Sequence, residues 1–237
     1  MPITRLLIAN RGEIAIRIAR AVADLGLRSV AVHSRDDARS LHVRATDEAR
    51  GLPGQGAAAY LDADAMIAAA KASGCDAVHP GYGFLSERAD FARRCAKAGL
   101  IFVGPAPAHL ELFGDKARAR TAAVAADVPV IHGMDRPVSL QEAQAFFASL
   151  RGGAMIIKAV AGGGGRGTRA VFSEAEIDPA YQRCRSEAEA AFGCGDVYVE
   201  QYIPRARHIE VQLLGDRHGN LIHLFELAQD HTGVGTL

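Results

Sequence analysis

The chain has no tryptophan and few aromatics of any kind, 6% of 237 residues. No segment therefore interleaves rings with Lys/Arg in the way a base-stacking surface requires. Charge of either sign is not in excess, with 27 Lys and Arg against 27 Asp and Glu. That balance provides no long-range attraction to nucleic acid or to an anionic membrane. Long apolar runs are missing too, and the opening MPITRLLIAN enters a strand at once, so neither a signal peptide nor a membrane span is expected. The cysteines Cys75, Cys95, Cys184 and Cys194 never fall at C-x-x-C spacing, which argues against a zinc site or a redox pair. They read as incidental thiols of a reducing compartment, with the cytoplasm as the expected location. No Gly-Lys-Ser/Thr occurs, which excludes a Walker loop.

What is present is glycine in one concentrated place. In Met155–Val171, MIIKAVAGGGGRGTRAV, two short apolar runs bracket Gly162, Gly163, Gly164, Gly165, Arg166 and Gly167. Both runs read as strands. A loop without Cβ atoms can bring several backbone N–H groups against one anion, and Lys158 adds a point charge one strand-length away. A flexible linker is the alternative, but linkers are seldom bracketed by strands with a lysine inside. The segment is expected to be a hairpin closing over nucleotide phosphates.

The first half alternates strand and helix. Arg5–Asn10 reads as a strand, followed by a helix from Glu13 with Ile14, Ile18, Val22 and Leu25 on one face and Gly26 as its stop. Arg28–His33, Ala77–His79 and Leu100–Val103 are three further strands. Asp62 and Ser86 are candidate caps for helices that end at Gly74 and Gly99. Such alternation argues a Rossmann-like parallel sheet. The first turn, Ala9-Asn10-Arg11-Gly12-Glu13, has one glycine where a dinucleotide site needs three, so NAD is rejected. His79-Pro80-Gly81-Tyr82-Gly83-Phe84-Leu85-Ser86-Glu87 follows the third of these strands at the end where α/β sheets bind ligands. It reads equally well as a turn whose aromatics plug the core, with His79 a satisfied core histidine.

In the second half Lys116 opens an alanine-rich helix. Ser139–Leu150 is a helix with a Ser139/Glu142 capping box. Pro179–Phe192 is another, and Asp196–Ile203 is a strand carrying Glu200. His208–Leu214 and Leu221–Glu226 form a hairpin in which His208, Glu210 and Gln212 share one face.

Taken in order, IANRGEIAIRI, HPGYGFLSE, FVGP, GDK, IIKA-x-x-GGGGRG, VYVEQYI and RHIEVQ resemble the biotin carboxylases. These are ATP-grasp subunits or domains of acetyl-CoA, propionyl-CoA and pyruvate carboxylases. The resemblance runs from Arg5 to Glu226. It implies an α/β protein with a Rossmann-like N-terminal domain (1–113) and a truncated ATP-grasp domain (114–226) whose glycine-rich lid spans about residues 131–203. The family's reaction phosphorylates bicarbonate with ATP to carboxyphosphate, and biotin captures the carboxyl group. By resemblance Lys116 and Lys158 contact ATP phosphates, Gly162–Gly165 and Gly167 form the lid, and Arg166 orders it. Glu200, Gln201, Tyr202 and Ile203 line the adenine pocket, and His208 lies near ribose and phosphates. Tyr82 and Gly83 lie beside biotin, while the Asn10–Glu13 turn is architectural. Implied partners are ATP, magnesium, bicarbonate, a biotin carrier protein, a carboxyltransferase subunit and a second copy in a homodimer.

After Glu226 the sequence leaves the family pattern, which continues Arg-Asp-Cys and then Gln-Arg-Arg. Residues 227–237 lack those motifs, and with them the metal carboxylates and the bicarbonate arginine. The expectation is a chain inactive by itself, whose tail is out-of-frame sequence or a genuine short product, and whose Leu221–Glu226 strand presents an open edge. A non-catalytic nucleotide- or subunit-binding module is the second reading. Another ATP-grasp ligase, such as a carbamoyl-phosphate synthetase half, is the third.

Overall fold

The computed structural model describes residues 2–160, 167–206, 208–216 and 218–229. It divides into a unit Met1–Ala119 and a unit Arg120–Leu237.

In the N-terminal unit β1 (Arg5–Ile8), α1 (Gly12–Asp24), β2 (Arg28–His33), α2 (Leu41–Arg44), β3 (Glu48–Gly51), α3 (Ala63–Ala72), β4 (Ala77–His79), α4 (Ala89–Lys97), β5 (Ile101–Phe102) and α5 (Pro107–Gly114) follow in order. The five strands form one sheet, β3-β2-β1-β4-β5, parallel throughout. Its strands are apolar on both faces because both are covered. Leu6, Ile8 and Ala77 pack with Ala15, Ile18, Ala19 and Val22 of α1. Leu7, Val30, Val32 and Val78 pack with Met66 and Ala70 of α3 and Phe91 and Cys95 of α4.

Three helices end in the same way. Gly26 adopts φ +69°, and the N–H groups of Gly26 and Leu27 donate to Ala23 O and Val22 O. This paired arrangement satisfies carbonyls the helix leaves over, and only glycine takes that backbone angle without strain. The same two bonds recur at Gly74–Cys75 and Gly99–Leu100. Asp62 caps α3 by accepting from Ala65 N–H at 3.0 Å.

Several local expectations shift. The charged stretch after β2 contains β3, whose sequence EARG has no apolar alternation to betray it because the strand lies at the sheet edge and is nowhere buried. Ser86 caps nothing: α4 starts after Arg88, and the Ser86 N–H donates to Gly83 O instead. Leu25 is exposed at the end of α1 rather than on its core face.

Helix α6 (Lys116–Ala125) crosses the division between the units. Beyond it lie α7 (Leu140–Ser149), β6 (Ala154–Ala159), β7 (Thr168–Val171), α8 (Ile177–Phe192), β8 (Val197–Tyr202), β9 (His208–Gly215) and β10 (Leu221–Gln229). The Ser139/Glu142 capping box forms in full: Ser139 Oγ accepts from Glu142 N–H, and Glu142 Oε2 accepts from Ser139 N–H. Strands β7-β6-β8 make an antiparallel sheet, with Met155 opposite Val171 and Lys158 opposite Thr168. Met155, Ile157, Val171, Val197 and Val199 pack on Ala143 and Phe146 of α7 and Tyr181 and Cys184 of α8. The opposite face of this sheet is left for polar side chains.

Strands β9 and β10 pair with each other and, among the described residues, with no other strand. Ile209, Val211 and Leu213 on one strand and Leu221, Ile222 and Leu224 on the other are all exposed. A bulge between His223 and Glu226 contains Phe225 at φ +63°. Strand β10 continues through Gln229, beyond the point where the resemblance motifs stop.

Candidate functional site

The order of the parallel sheet reverses at β1. Strands β2 and β3 lie to one side of it and β4 and β5 to the other, so the crevice at the carboxyl ends of β1 and β4 is the switch point where such sheets take ligands. The turn Ala9–Gly12 and the loop Pro80–Phe84 meet there. The core-plug reading of this loop holds at Phe84 and Leu85, while Tyr82 stands outside the core. Phe84 packs on the core with its ring 5.3 Å from Tyr60, and Leu85 is buried beneath it. Tyr82 is 61% exposed, and its hydroxyl donates to Glu13 Oε1, a bond that raises its pKa. His79 behaves as a satisfied core histidine: its Nδ1 accepts from Gly81 N–H at 3.0 Å, and burial lowers its pKa.

The first turn is fastened on both sides. Asn10, 2% exposed, donates from Nδ2 to Pro80 O (2.7 Å) and Tyr82 O (2.8 Å), while its Oδ1 accepts from Arg11 N–H (2.8 Å). Arg11 makes a two-point ion pair with Asp37, at 2.8 and 2.9 Å. Asp37 also accepts from Tyr60 (2.8 Å) and Ser40 (3.0 Å). Burial alone would raise its pKa, but the hydrogen bonds from Tyr60 and Ser40 and the charge on Arg11 hold it low. A polar depression of about 260 Å³ elsewhere in this unit, lined by Asp62, Asp64, Arg88, Asp90 and Arg94, has Arg94 tied to Asp64 and Asp90.

In the C-terminal unit, strand alternation puts Lys158 of β6 and Glu200 of β8 on the face turned away from α7 and α8. Their side chains meet at Nζ–Oε2 2.6 Å, with 26% and 19% of each exposed. Tyr198 shares the face; burial first, and then Glu200, push its hydroxyl up to about 12. Gly133 bridges to Glu200 along the outer edge of β8, and a Cβ there would lie 2.9 Å from Glu200 Cγ. Nothing in the sequence marked Gly133, because a close approach between distant segments leaves no local pattern. Gly167 accepts from Ala159 N–H at 2.9 Å and fixes the register at the mouth of the glycine loop. Gln201 is exposed on the face opposite Glu200, and its N–H donates to His132 O. Tyr202 stands edge-on to Phe172 at 5.5 Å, and Ile203 is exposed just past the strand.

The expected site residues thus fall into groups. Lys158 and Glu200 meet on one sheet face, which Tyr202 shares nearer the start of β6, with Gly167 opening β7 and Gln201 and Ile203 adjacent in the chain. Tyr82 and Gly83 are in the N-terminal unit. Gly162, Gly163, Gly164, Gly165 and Arg166 lie outside the described residues. Lys116 opens α6 and His208 opens β9, but their side chains lie outside what is described.

Lysine has three donors, of which Glu200 takes one, so Lys158 can still donate to an anion while remaining oriented. Among the described residues no three His, Cys, Asp or Glu side chains gather as a metal site. The free donors of Lys158 are of the kind that suits an anion, and a single carboxylate beside them, Glu200, is not by itself a set of ligands for a divalent cation. No described helix is long and apolar enough to cross a membrane.

Residues 2–110 match the family model "Biotin carboxylase, N-terminal domain". Residues 115–232 match "Carbamoyl-phosphate synthase L chain, ATP binding domain", past Glu226 and into the segment that lacks the quoted motifs. The chain is 52% identical over 227 residues to pyruvate carboxylase of Bacillus subtilis, covering 94% of this chain and 20% of that protein. It is 52% identical over 229 residues to mitochondrial pyruvate carboxylase of Homo sapiens, covering 95% and 19%. Among solved structures it resembles the Campylobacter jejuni biotin carboxylase–beta-gamma-ATP complex, with TM-score 0.90, 41% identity, and coverage of 95% of this chain and 51% of that one. The biotin carboxylase domain dimer of Hydrogenobacter thermophilus 2-oxoglutarate carboxylase, in complex with MgADP, ADP and bicarbonate, gives TM-score 0.89 at 41% identity over 95% and 50%. The chain therefore spans about a fifth of the curated relatives and about half of the solved ones. Two successive domain matches, and relatives more than 40% identical along almost all of its length, show that the chain belongs to the biotin carboxylase family.

Proposed function

We propose that this chain supplies the acceptor loop and the nucleotide lid of a biotin carboxylase. The complete enzyme uses ATP to activate bicarbonate and delivers the carboxyl group to biotin on a carrier protein. The observation that carries this reading is the Lys158–Glu200 pair, half-buried on the sheet face turned away from α7 and α8, in the strand that leads into the glycine run. Phosphoryl transfer needs chiefly positioning and neutralisation of phosphate charge. Lys158 supplies the charge, Glu200 fixes where the ammonium points, and Gly167 sets the register in which β6 and β7 pair on either side of the glycine run. Lys116 and His208 are assigned to phosphates and ribose, Gly162–Gly165 and Arg166 to the lid, and Glu200–Ile203 to adenine. Tyr82 and Gly83 are assigned to the biotin ring.

Magnesium would neutralise phosphate charge in the complete enzyme, but the described residues offer no ligand cluster for it. We accordingly assign this chain nucleotide and biotin binding, and no carboxylation by itself. Bicarbonate, the carrier protein, a carboxyltransferase and a second copy of the chain are partners of the whole enzyme. The N-terminal match and the carboxylase relatives favour this over a carbamoyl-phosphate synthetase half.

The test is ATP affinity by calorimetry. Lys158→Ala should weaken binding about tenfold or more, the loss of a charge-assisted hydrogen bond to phosphate. Equal affinity for the wild type and the variant would remove Lys158 from the site.

A further inference from the structure

The geometry points to Asn10 as the positioning residue of the Tyr82 loop: we propose that its side-chain amide, clamped between the ends of β1 and β4, holds Pro80–Gly83 in the shape that presents Tyr82 and Gly83 to the acceptor. This rests on the reading of that loop as the acceptor site and adds a residue that, as part of a turn read as architectural, had no role in it.

The hydrogen-bond partners leave no freedom in how Asn10 is oriented. Nδ2 faces two carbonyl oxygens, Pro80 O at 2.7 Å and Tyr82 O at 2.8 Å, and carbonyls only accept. Oδ1 faces the Arg11 N–H at 2.8 Å, which only donates. All three bonds require an amide; a carboxylate of the same shape would set an anionic oxygen against two carbonyls. The loop is cut to fit it. Gly81, between the two accepting residues, has φ +65°, and a Cβ there would sit 2.7 Å from Asn10 Nδ2. The far side of the turn is anchored as well, because Arg11 is held at two points by the buried Asp37. Asn10 is itself 2% exposed, so the loop is gripped from within the fold while Tyr82 stays 61% exposed above it. An internal clamp of this kind lowers the cost of ordering the loop when a ligand binds.

The experiment compares the wild-type chain with Asn10→Asp and, from the other side of the contact, Gly81→Ala. Hydrogen exchange is read peptide by peptide, alongside affinity for free biotin and for ATP. In both variants residues 80–84 should exchange about tenfold faster or more, the loss of one to two net hydrogen bonds. Peptides from β1 and β2 should keep their protection. Biotin affinity should fall by a similar factor and ATP affinity stay unchanged. Wild-type exchange at 80–84 in both variants would overturn the proposal. So would uniform loss of protection across β1, β2 and β4, which would make Asn10 a general stability residue. If residues 80–84 loosen as expected but the wild-type chain binds no biotin, the clamp stands and the acceptor reading of the loop fails.

Discussion

The two units hold their proposed ligand-binding residues in opposite ways. In the N-terminal unit the sheet is covered on both faces, and the ligand-facing loop leaves the carboxyl end of a strand. Its shape is imposed from inside by Asn10, Arg11 and Asp37. In the C-terminal unit α7 and α8 cover one face of the sheet, and the groups proposed to meet the ligand are half-buried side chains on the other face of the strands themselves. There the fold positions Lys158 and Glu200 through strand register, not through a clamp. A parallel sheet covered by helices on both faces works at its strand ends; an antiparallel sheet with helices on one face can work across the other.

This contrast can be broken at several points. The largest effect is expected from Ile157→Ala, which opens a cavity in the covered face of β6 at a cost of about 2–5 kcal/mol. Ile157 is fully buried one residue before Lys158. In denaturant melts followed by hydrogen exchange, residues 154–202 should lose protection first, and ATP binding should go with them. Protection lost first in residues 5–110 would contradict the division of labour between the units.

Next comes Asp37→Ala. It leaves Tyr60 and Ser40 without their acceptor and Arg11 without its ion pair, so about 2–3 kcal/mol should be lost. The Asn10 turn should loosen while the C-terminal unit's melting is unchanged. An effect within experimental error would mean that the turn is held by Asn10 alone.

A smaller effect concerns pH. His42 is 1% exposed, donates from Nε2 to Val32 O at 3.2 Å, and has no partner for Nδ1. Burial pulls its pKa below the ordinary histidine value of about 6.5, opposed by the Val32 carbonyl and Asp37 and aided by Arg11 and His33. The unfolded chain then binds the proton more readily than the folded one. Stability should be complete above about pH 6.5 and fall as pH drops below it. His42→Gln should flatten that slope in acid-titrated melts of the N-terminal unit. An unchanged slope would remove His42 as its cause.

The fold was legible wherever chemistry is local. The runs RSVAVH and AVH announced β2 and β4 to the residue, because buried parallel strands are uninterrupted apolar stretches. The glycines closing α1, α3 and α4, and the Ser139/Glu142 box, were legible because caps depend on residues a few positions apart. Strand β3 was not, since an edge strand of sequence EARG needs no apolar side. Of the candidate site, the glycine hairpin and Lys158 could be read directly, as both follow from one segment. The Lys158–Glu200 contact, the Gly133 approach and the Asn10 clamp each join residues at least 42 positions apart, and no spacing rule reports such meetings.

The central claim is that nucleotide binds on the face of β6 and β8 turned away from α7 and α8. Hydrogen exchange of the chain with and without ATP tests it most directly. The account predicts slowed exchange in residues 156–169 and 198–203, with residues 5–110 unaffected. Slowed exchange confined to residues 5–110, or none anywhere at saturating ATP, would contradict it.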